Sequence, residues 1–258
     1  MITKNQASLI ANKSRISEAV IFREYLQILF LSKLYSFSGS ENIFFKGGTA
    51  LHLIYKAPRF SEDLDFTVEL KEKDFLNFIL KVFDTLSKEE ELSFKERKTI
   101  AGKRFLMTAS PSAVTYKIFI NLDFSFRERV LDPQKSIIDT NYPVLFNSYV
   151  YHFSKEEIFA EKIRAVLTRN KGRDIYDLWF LVSQGVQIKE GLIKKKFKYY
   201  DLENIKNEDI IKKIEQFPEK VFVQDLRPFV PINEREKLST FFVYLQDYLK
   251  EKLLPTGR

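Results

Sequence analysis

Two carboxylates separated by a single residue, Asp63 and Asp65, are the first feature of this chain with chemical consequence. They open a run in which Asp63, Asp65, Thr67 and Glu69 alternate with Leu64, Phe66, Val68 and Leu70, the period of a half-buried strand. Both carboxylates therefore leave one face, about 6–7 Å apart at the backbone, where a divalent cation can bridge them. A D-x-D arises about once by chance in a chain of this length, and a solvated strand face also accommodates it. That solvated face has a cost, because adjacent like charges repel unless a cation or a base compensates. Asp123 falls on a second predicted strand, sharing a face with Phe119 and Asn121, and is a candidate third oxygen ligand. Composition narrows the metal. With no Cys and only His52 and His152, disulfide scaffolds, zinc ribbons, iron–sulfur clusters and thiol nucleophiles are excluded. An oxygen-ligated ion remains, and Mg²⁺ takes carboxylates, waters and substrate phosphates.

Upstream, Lys46-Gly47-Gly48-Thr49 joins an apolar run, Ile43-Phe44-Phe45, to a helical segment. Paired glycines let a backbone approach a ligand closely, and a helix start directs free N–H groups at an anion, with the Thr49 hydroxyl beside them. An isolated Gly-Gly pair is equally a tight turn. Arg59, just before the acidic strand, can pair with a phosphate or hold an aspartate; the sequence leaves both open. Between 162 and 173 stand Lys162, Arg164, Arg169, Lys171 and Arg173 without one acid. Lys162 and Arg169 lie about 20° apart on a helical wheel, at the edge of the stripe Ile158, Phe159, Ile163 and Val166. Cations at that edge either face a cleft and contact phosphate or snorkel over the core. Asp174 and Asp177, three apart at a helix start, have helix capping as their bland role.

These residues need a scaffold. Apolar recurrence without Gly or Pro over about 9–36 predicts one long helix or two abutting ones, stopped at Phe37-Ser38-Gly39-Ser40. A strand, turn and helix follow at 43–57, then the acidic strand, a helix over 72–88, a hairpin of 92–100 and 103–109 around Ala101-Gly102, and a strand over 114–124. From Ser154, which forms a capping box with Glu157, the pattern turns helical: 154–170, 173–184, about 204–216 and 236–253. The boundary is set near 150, giving an α/β domain over 1–150 with an N-terminal helical segment and a helical domain over 151–258 that closes the active-site cleft. The basic run Lys194-Lys195-Lys196-Phe197-Lys198 reads as a solvated helix face. At 258 residues and 45% hydrophobic content the chain fills a substantial core. Neither a leader nor a stretch of about 18 apolar residues is visible, so a cytoplasmic protein with no membrane partner is expected. Its net charge of +7 suits a polyanionic partner or plain solubility.

The run Lys46-Gly47-Gly48-Thr49-Ala50-Leu51, then Tyr55, then Arg59-Phe60-Ser61-Glu62-Asp63-Leu64-Asp65-Phe66 closely resembles the AbiEii/AbiGii toxin family of bacterial nucleotidyltransferases, of the polymerase β-like superfamily. Glu161-Lys162-Ile163-Arg164-Ala165, Arg169 and Lys171-Gly172-Arg173-Asp174-Ile175-Tyr176-Asp177-Leu178 are similar to that family's helical motifs. The resemblance implies an α+β fold, a mixed sheet flanked by helices and followed by a helical domain. It implies a nucleoside triphosphate substrate, Mg²⁺ on Asp63 and Asp65 with Asp123, and Gly47, Gly48, Thr49, Arg59 and Ser61 around the phosphates. Lys162 and Arg173 would neutralise pyrophosphate, and Asp174 or Asp177 would be a further catalytic acid residue. It further implies the toxin of an AbiE-type toxin–antitoxin, phage-defence pair with a cognate antitoxin, acting on RNA, tRNA 3′ ends among the acceptors. Two other functions fit the same residues: a small-molecule nucleotidyltransferase of the aminoglycoside-modifying kind, and a non-catalytic nucleotide- or RNA-binding protein on this fold.

Overall fold

The computed structural model describes residues 1–202 and 205–254. The chain divides into two compact units, Met1–Lys56 with Phe60–Phe153, and Ala57–Arg59 with Ser154–Arg258.

In the first unit the N-terminal region is two helices, α1 (Lys4–Ser14) and α2 (Glu18–Ser36), separated where Arg15 takes a left-handed conformation at φ 52°. There follow β1 (Ile43–Lys46), α3 (Gly47–Leu53), β2 (Leu64–Val68), α4 (Glu72–Glu89), β3 (Leu92–Arg97), β4 (Lys103–Ala109), β5 (Ile118–Ser125), β6 (Pro133–Ser136) and β7 (Val150–Phe153). The strands form one mixed sheet in the order β3-β4-β5-β2-β1-β7-β6, with β2 parallel to β5 and β1 parallel to β7. The expected hairpin is the antiparallel pair β3 and β4. β5 starts four residues later than the periodicity suggests, because Val114 N closes a turn on Pro111 O. β6 and β7, four residues each, are too short to show an alternation and were not anticipated.

Alternation on β2 and β5 sorts the side chains. Leu64, Phe66, Ile118, Ile120, Leu122 and Phe124 are buried, with Phe66 and Phe124 stacked at 4.8 Å. Phe30 of α2 meets Phe66, Phe83 of α4 and Phe94 of β3 at centroid distances of 6.3–6.4 Å, so helices and sheet share one aromatic core. The opposite face keeps Asp65, Asn121 and Asp123 partly accessible.

The second unit is helical: α5 (Lys155–Thr168), α6 (Gly172–Ser183), α7 (Glu190–Lys198), α8 (Asn207–Glu215), α9 (Glu219–Leu226) and α10 (Leu238–Leu253). α7 and α9, nine and eight residues long, go beyond the four helices expected here. Residue 204, the expected start of α8, and residues 255–258, the end of the 151–258 domain, lie outside the described residues. Ser154 Oγ accepts from Glu157 N at 3.0 Å, starting α5 as expected.

The basic run corrects its expectation. Lys194, Lys195 and Lys198 are exposed, but Lys196 is fully buried, with Nζ 2.7 Å from Glu157 and 3.3 Å from Glu161 on α5. The i, i+4 spacing of the two glutamates puts both on one helix face, and a cation must enter α7's buried side to meet them. Removing one member of a buried pair typically costs about 3–5 kcal/mol, whereas exposed lysines contribute about 0.5 kcal/mol or less. Denaturant unfolding should therefore show Lys196→Ala strongly destabilised and Lys195→Ala close to the parent.

Candidate functional site

Each unit carries one cluster of the expected residues. In the first, β1 ends at Lys46, whose register partner on β2 is Asp65. Gly47 then turns the chain at φ 79°, and a Cβ there would stand 2.4 Å from Asp65 Oδ2. Glycine is thus favoured by the backbone conformation, and it leaves the Asp65 side chain room that a Cβ would take. Thr49, buried at the start of α3, donates its hydroxyl to the Asp63 carbonyl, so it holds the entry of the acidic strand. Ser61 O accepts from Gln27 Nε2 at 3.2 Å, which fastens the preceding residues to α2. The Lys46 ammonium pairs with buried Glu128, which also lies 3.4 Å from Thr67 Oγ1.

The carboxylates form a row. Asp65 and Asp123 are register neighbours on parallel strands, and Asp63 sits one residue before β2, with Asn121 Nδ2 donating to its Oδ1 at 2.9 Å. Burial, aided by the charges of Asp65, Glu62 and Asp123, pushes the Asp63 carboxyl up to about 6, against the opposing pull of the Asn121 amide. Burial likewise raises Asp123 in spite of its hydrogen bond with Arg104. Arg104 of β4 lies opposite Asp123 in the antiparallel register, with Nε 2.5 Å from Oδ1. Among the described residues no three His, Cys, Asp or Glu side chains are grouped as a metal site. Asp63, Asp65 and Asp123 share the row, with Asp123 engaged by Arg104. The donor chemistry still fits a hard divalent ion: oxygen atoms alone, on like charges that repel.

The second cluster is buried. Arg59 is 2% exposed and grips Asp177 with a fork, Nε to Oδ1 at 2.6 Å and Nη2 to Oδ2 at 2.5 Å. Lys162 Nζ lies 2.6 Å from Asp177 Oδ2 and 2.9 Å from Asp174 Oδ1. Arg169 makes a second fork on Asp174 at 2.7 and 2.8 Å. Burial alone would raise Asp174, but Lys162 and Arg169 outweigh it and hold the carboxyl well below the usual range. Lys162 is raised by Asp174 and Asp177 although burial opposes it.

The arrangement takes Lys162 from the edge of its stripe to the carboxylates of α6, with Asp174 and Asp177 as its ion-pair partners. It also answers the question left by Arg59, which holds an aspartate. Arg173 places its guanidinium 4.9 Å from the centre of the Phe229 ring, and Arg164 stacks at 3.9 Å on Tyr200. Much of the basic stretch is thus engaged within its own unit. Sequence reading missed Arg104 and gave Asn121 no role; the signal for both is the register of β4 and β5, which fixes what lies opposite Asp123 and beside Asp63. Tyr176 and Trp179, also on α6, line a largely apolar cavity of about 680 Å³ with Pro58, Val230, Phe241 and Tyr244.

Residues 29–245 match the family described as nucleotidyl transferase AbiEii toxin, type IV TA system. An uncharacterized protein of Aquifex aeolicus is 30% identical over 233 residues, 86% of this chain and 92% of that protein. Among solved structures, MenT4, a nucleotidyltransferase toxin from Mycobacterium tuberculosis, aligns with a TM-score of 0.62 at 16% identity, covering 100% of this chain and 96% of MenT4. JHP933 from Helicobacter pylori aligns with a TM-score of 0.54 at 20% identity, covering 92% and 94% respectively. The two structural likenesses agree with the mixed sheet and the helices that follow it, and the match over most of the length settles the lineage: the chain belongs to the AbiEii family of nucleotidyltransferase toxins from type IV toxin–antitoxin systems.

Proposed function

We propose that this nucleotidyltransferase uses Mg²⁺ and transfers a nucleotide to an RNA acceptor, tRNA 3′ ends among the candidates, in the cytoplasm of its host. Family membership carries a nucleoside triphosphate donor and an antitoxin partner with it. The observation that carries the metal reading is the carboxylate row itself: Asp63 and Asp65 stand two residues apart and Asp65 is in register with Asp123, with burial and these neighbouring charges raising the Asp63 carboxyl. Such a row has a use for a cation that a purely structural strand would not have.

Asp63 and Asp65 would hold the metal, with Asp123 joining once released from Arg104. When bound, Mg²⁺ neutralises charge on the attacking and leaving oxygens of an in-line displacement. In that displacement the acceptor hydroxyl oxygen bonds to the α-phosphorus, the bond to the bridging oxygen breaks, and pyrophosphate leaves with its electron pair. The hydroxyl proton passes to a carboxylate of the row. Gly47, Gly48 and Ser61 lie beside the acids without bulky side chains and would border the phosphates, while Thr49 fixes the start of the acidic strand. In the second unit Arg59, Lys162, Asp174 and Asp177 would form a rigid frame, with Arg169 joined to it through Asp174. Arg169 and Arg173 at its edge would then attract pyrophosphate or RNA phosphate. The aromatic cavity supports RNA as the acceptor, because unpaired bases stack on Trp and Tyr faces irrespective of sequence.

Incubating the protein with each labelled triphosphate, Mg²⁺ and total tRNA should label RNA, and Asp63→Ala with Asp65→Ala should reduce labelling by more than about 10²-fold. Absence of transfer from the parent to any RNA would sink the RNA reading. Trp179→Ala should weaken RNA binding roughly tenfold, measured by filter binding, and leave triphosphate binding in place. The raised Asp63 also sets a pH dependence. Its folded protonated form is favoured, so the stability it supplies is full below the ordinary carboxylate value of 3.8 and is lost as pH rises to about 6. Metal-free melting temperatures of the parent and Asp63→Asn, compared across that window, should diverge in favour of the variant as pH rises.

A further inference from the structure

Among the described residues three Arg–Asp pairs involve the expected site residues, and two of them differ sharply in burial. Arg59 and Asp177 have side chains 2% and 0% exposed, whereas Arg104 and Asp123 are 44% and 25% exposed. A buried fork is a fixed part of a frame; a half-exposed pair is screened by water and exchanges readily. Arg104 also stands in an unusual row. Across β3, β4, β5 and β2 the register places Arg97, Arg104, Asp123 and Asp65 side by side, so a like charge lies on one flank of Arg104 and carboxylates on the other. Asp63 and Asp65 reinforce its positive form together with Asp123.

We propose that Arg104 is the counter-cation of the carboxylate row in the unloaded enzyme and a triphosphate-binding residue in the loaded one. Without substrate its guanidinium neutralises Asp123. A divalent ion on Asp63 and Asp65 removes the need for that neutralisation and repels the guanidinium, while the accompanying triphosphate attracts it. The guanidinium then releases Asp123 to the metal and moves to a phosphate oxygen, for which its planar fork is suited. Its exposure means that the movement requires rotation of a long side chain alone, with no repacking of the core. This assignment rests on the nucleotidyl-transfer reading and adds to it a residue that no motif marks.

The test is calorimetric titration of the full chain with Mn²⁺ alone, then with Mg²⁺ and the α,β-methylene analogue of each nucleoside triphosphate. The variants are Arg104→Gln, Arg104→Lys and, as a neighbour control, Lys103→Ala. Arg104→Gln should bind Mn²⁺ alone about threefold or more tightly, because Asp123 is freed, yet bind the Mg²⁺ analogue about tenfold more weakly. Arg104→Lys should recover part of the analogue affinity, and Lys103→Ala should change neither value. An ion pair that only braces the sheet would not move the two affinities in opposite directions. Analogue binding by Arg104→Gln within twofold of the parent, or both affinities shifting the same way, overturns the assignment of Arg104 alone. A parent chain that binds no analogue overturns the nucleotidyl-transfer reading and this inference with it.

Discussion

Repulsion among carboxylates crowded on one half-buried strand face is the constraint to which much of the first unit answers. Asp63, one residue before β2, and Asp65 within it cannot avoid each other, because the extended backbone fixes their separation, and the parallel partner β5 adds Asp123 in register with Asp65. The surroundings make room for this charge and partly balance it. Gly47 has no side chain where Asp65 needs space, the Asn121 amide donates to Asp63, Thr49 pins the backbone beneath it, and Arg104 offsets the third acid. What remains unbalanced is the electrostatic potential that a metal–nucleotide complex would use. Electrostatic preorganisation of this kind is built at folding, when the aromatic core of Phe30, Phe66 and Phe124 holds the strands in register.

The second unit treats charge in the opposite way. Two buried cations, Arg59 and Lys162, and an exposed one, Arg169, meet two almost completely buried aspartates, each gripped by an arginine fork. Desolvating so many charges is expensive, and only close, multiply bonded geometry offsets it. The second buried set, Lys196 with Glu157 and Glu161, uses another face of the same helix α5. α5 is consequently held on two sides by ion pairs, and the rotational setting of Lys162 follows from partners that are too buried to rearrange cheaply.

Much of this was legible in the sequence where a side chain's role depends on its immediate neighbours in the chain. The alternation from Asp63 to Leu70 fixed the acidic face, the Ala101-Gly102 turn fixed the hairpin, and Ser154 with Glu157 marked the start of α5. Residues whose role depends on another element were harder to read. A helical wheel gives the direction of Lys162 but not the depth of the helix opposite, and so could not foresee that Asp174 and Asp177 would draw it inside. The same limit hid Lys196 within a run of lysines that otherwise meets solvent. Arg104 carries no motif at all; its significance comes from strand register, which is a property of two segments and of the turn between them. No local pattern decides between a phosphate and an aspartate for Arg59, because its aspartate lies 118 residues further along.

That separation matters for biosynthesis. The three residues Ala57–Arg59 belong to the helical unit although the chain on both sides of them belongs to the sheet-bearing one. A ribosome therefore delivers Arg59 early, and its aspartate only after the whole remaining sheet has been made. The nascent α/β unit must carry Arg59 before the Asp177 carboxylate of its fork has been made. A toxin assembled in this order gains its second charged cluster late, so interrupted translation products and a fragment beginning at Ser154 would each hold only part of the Arg59–Asp177 fork. The stitch joins the segment that leads into the acidic strand to the helical unit, and ties completion of the frame to the synthesis of α6.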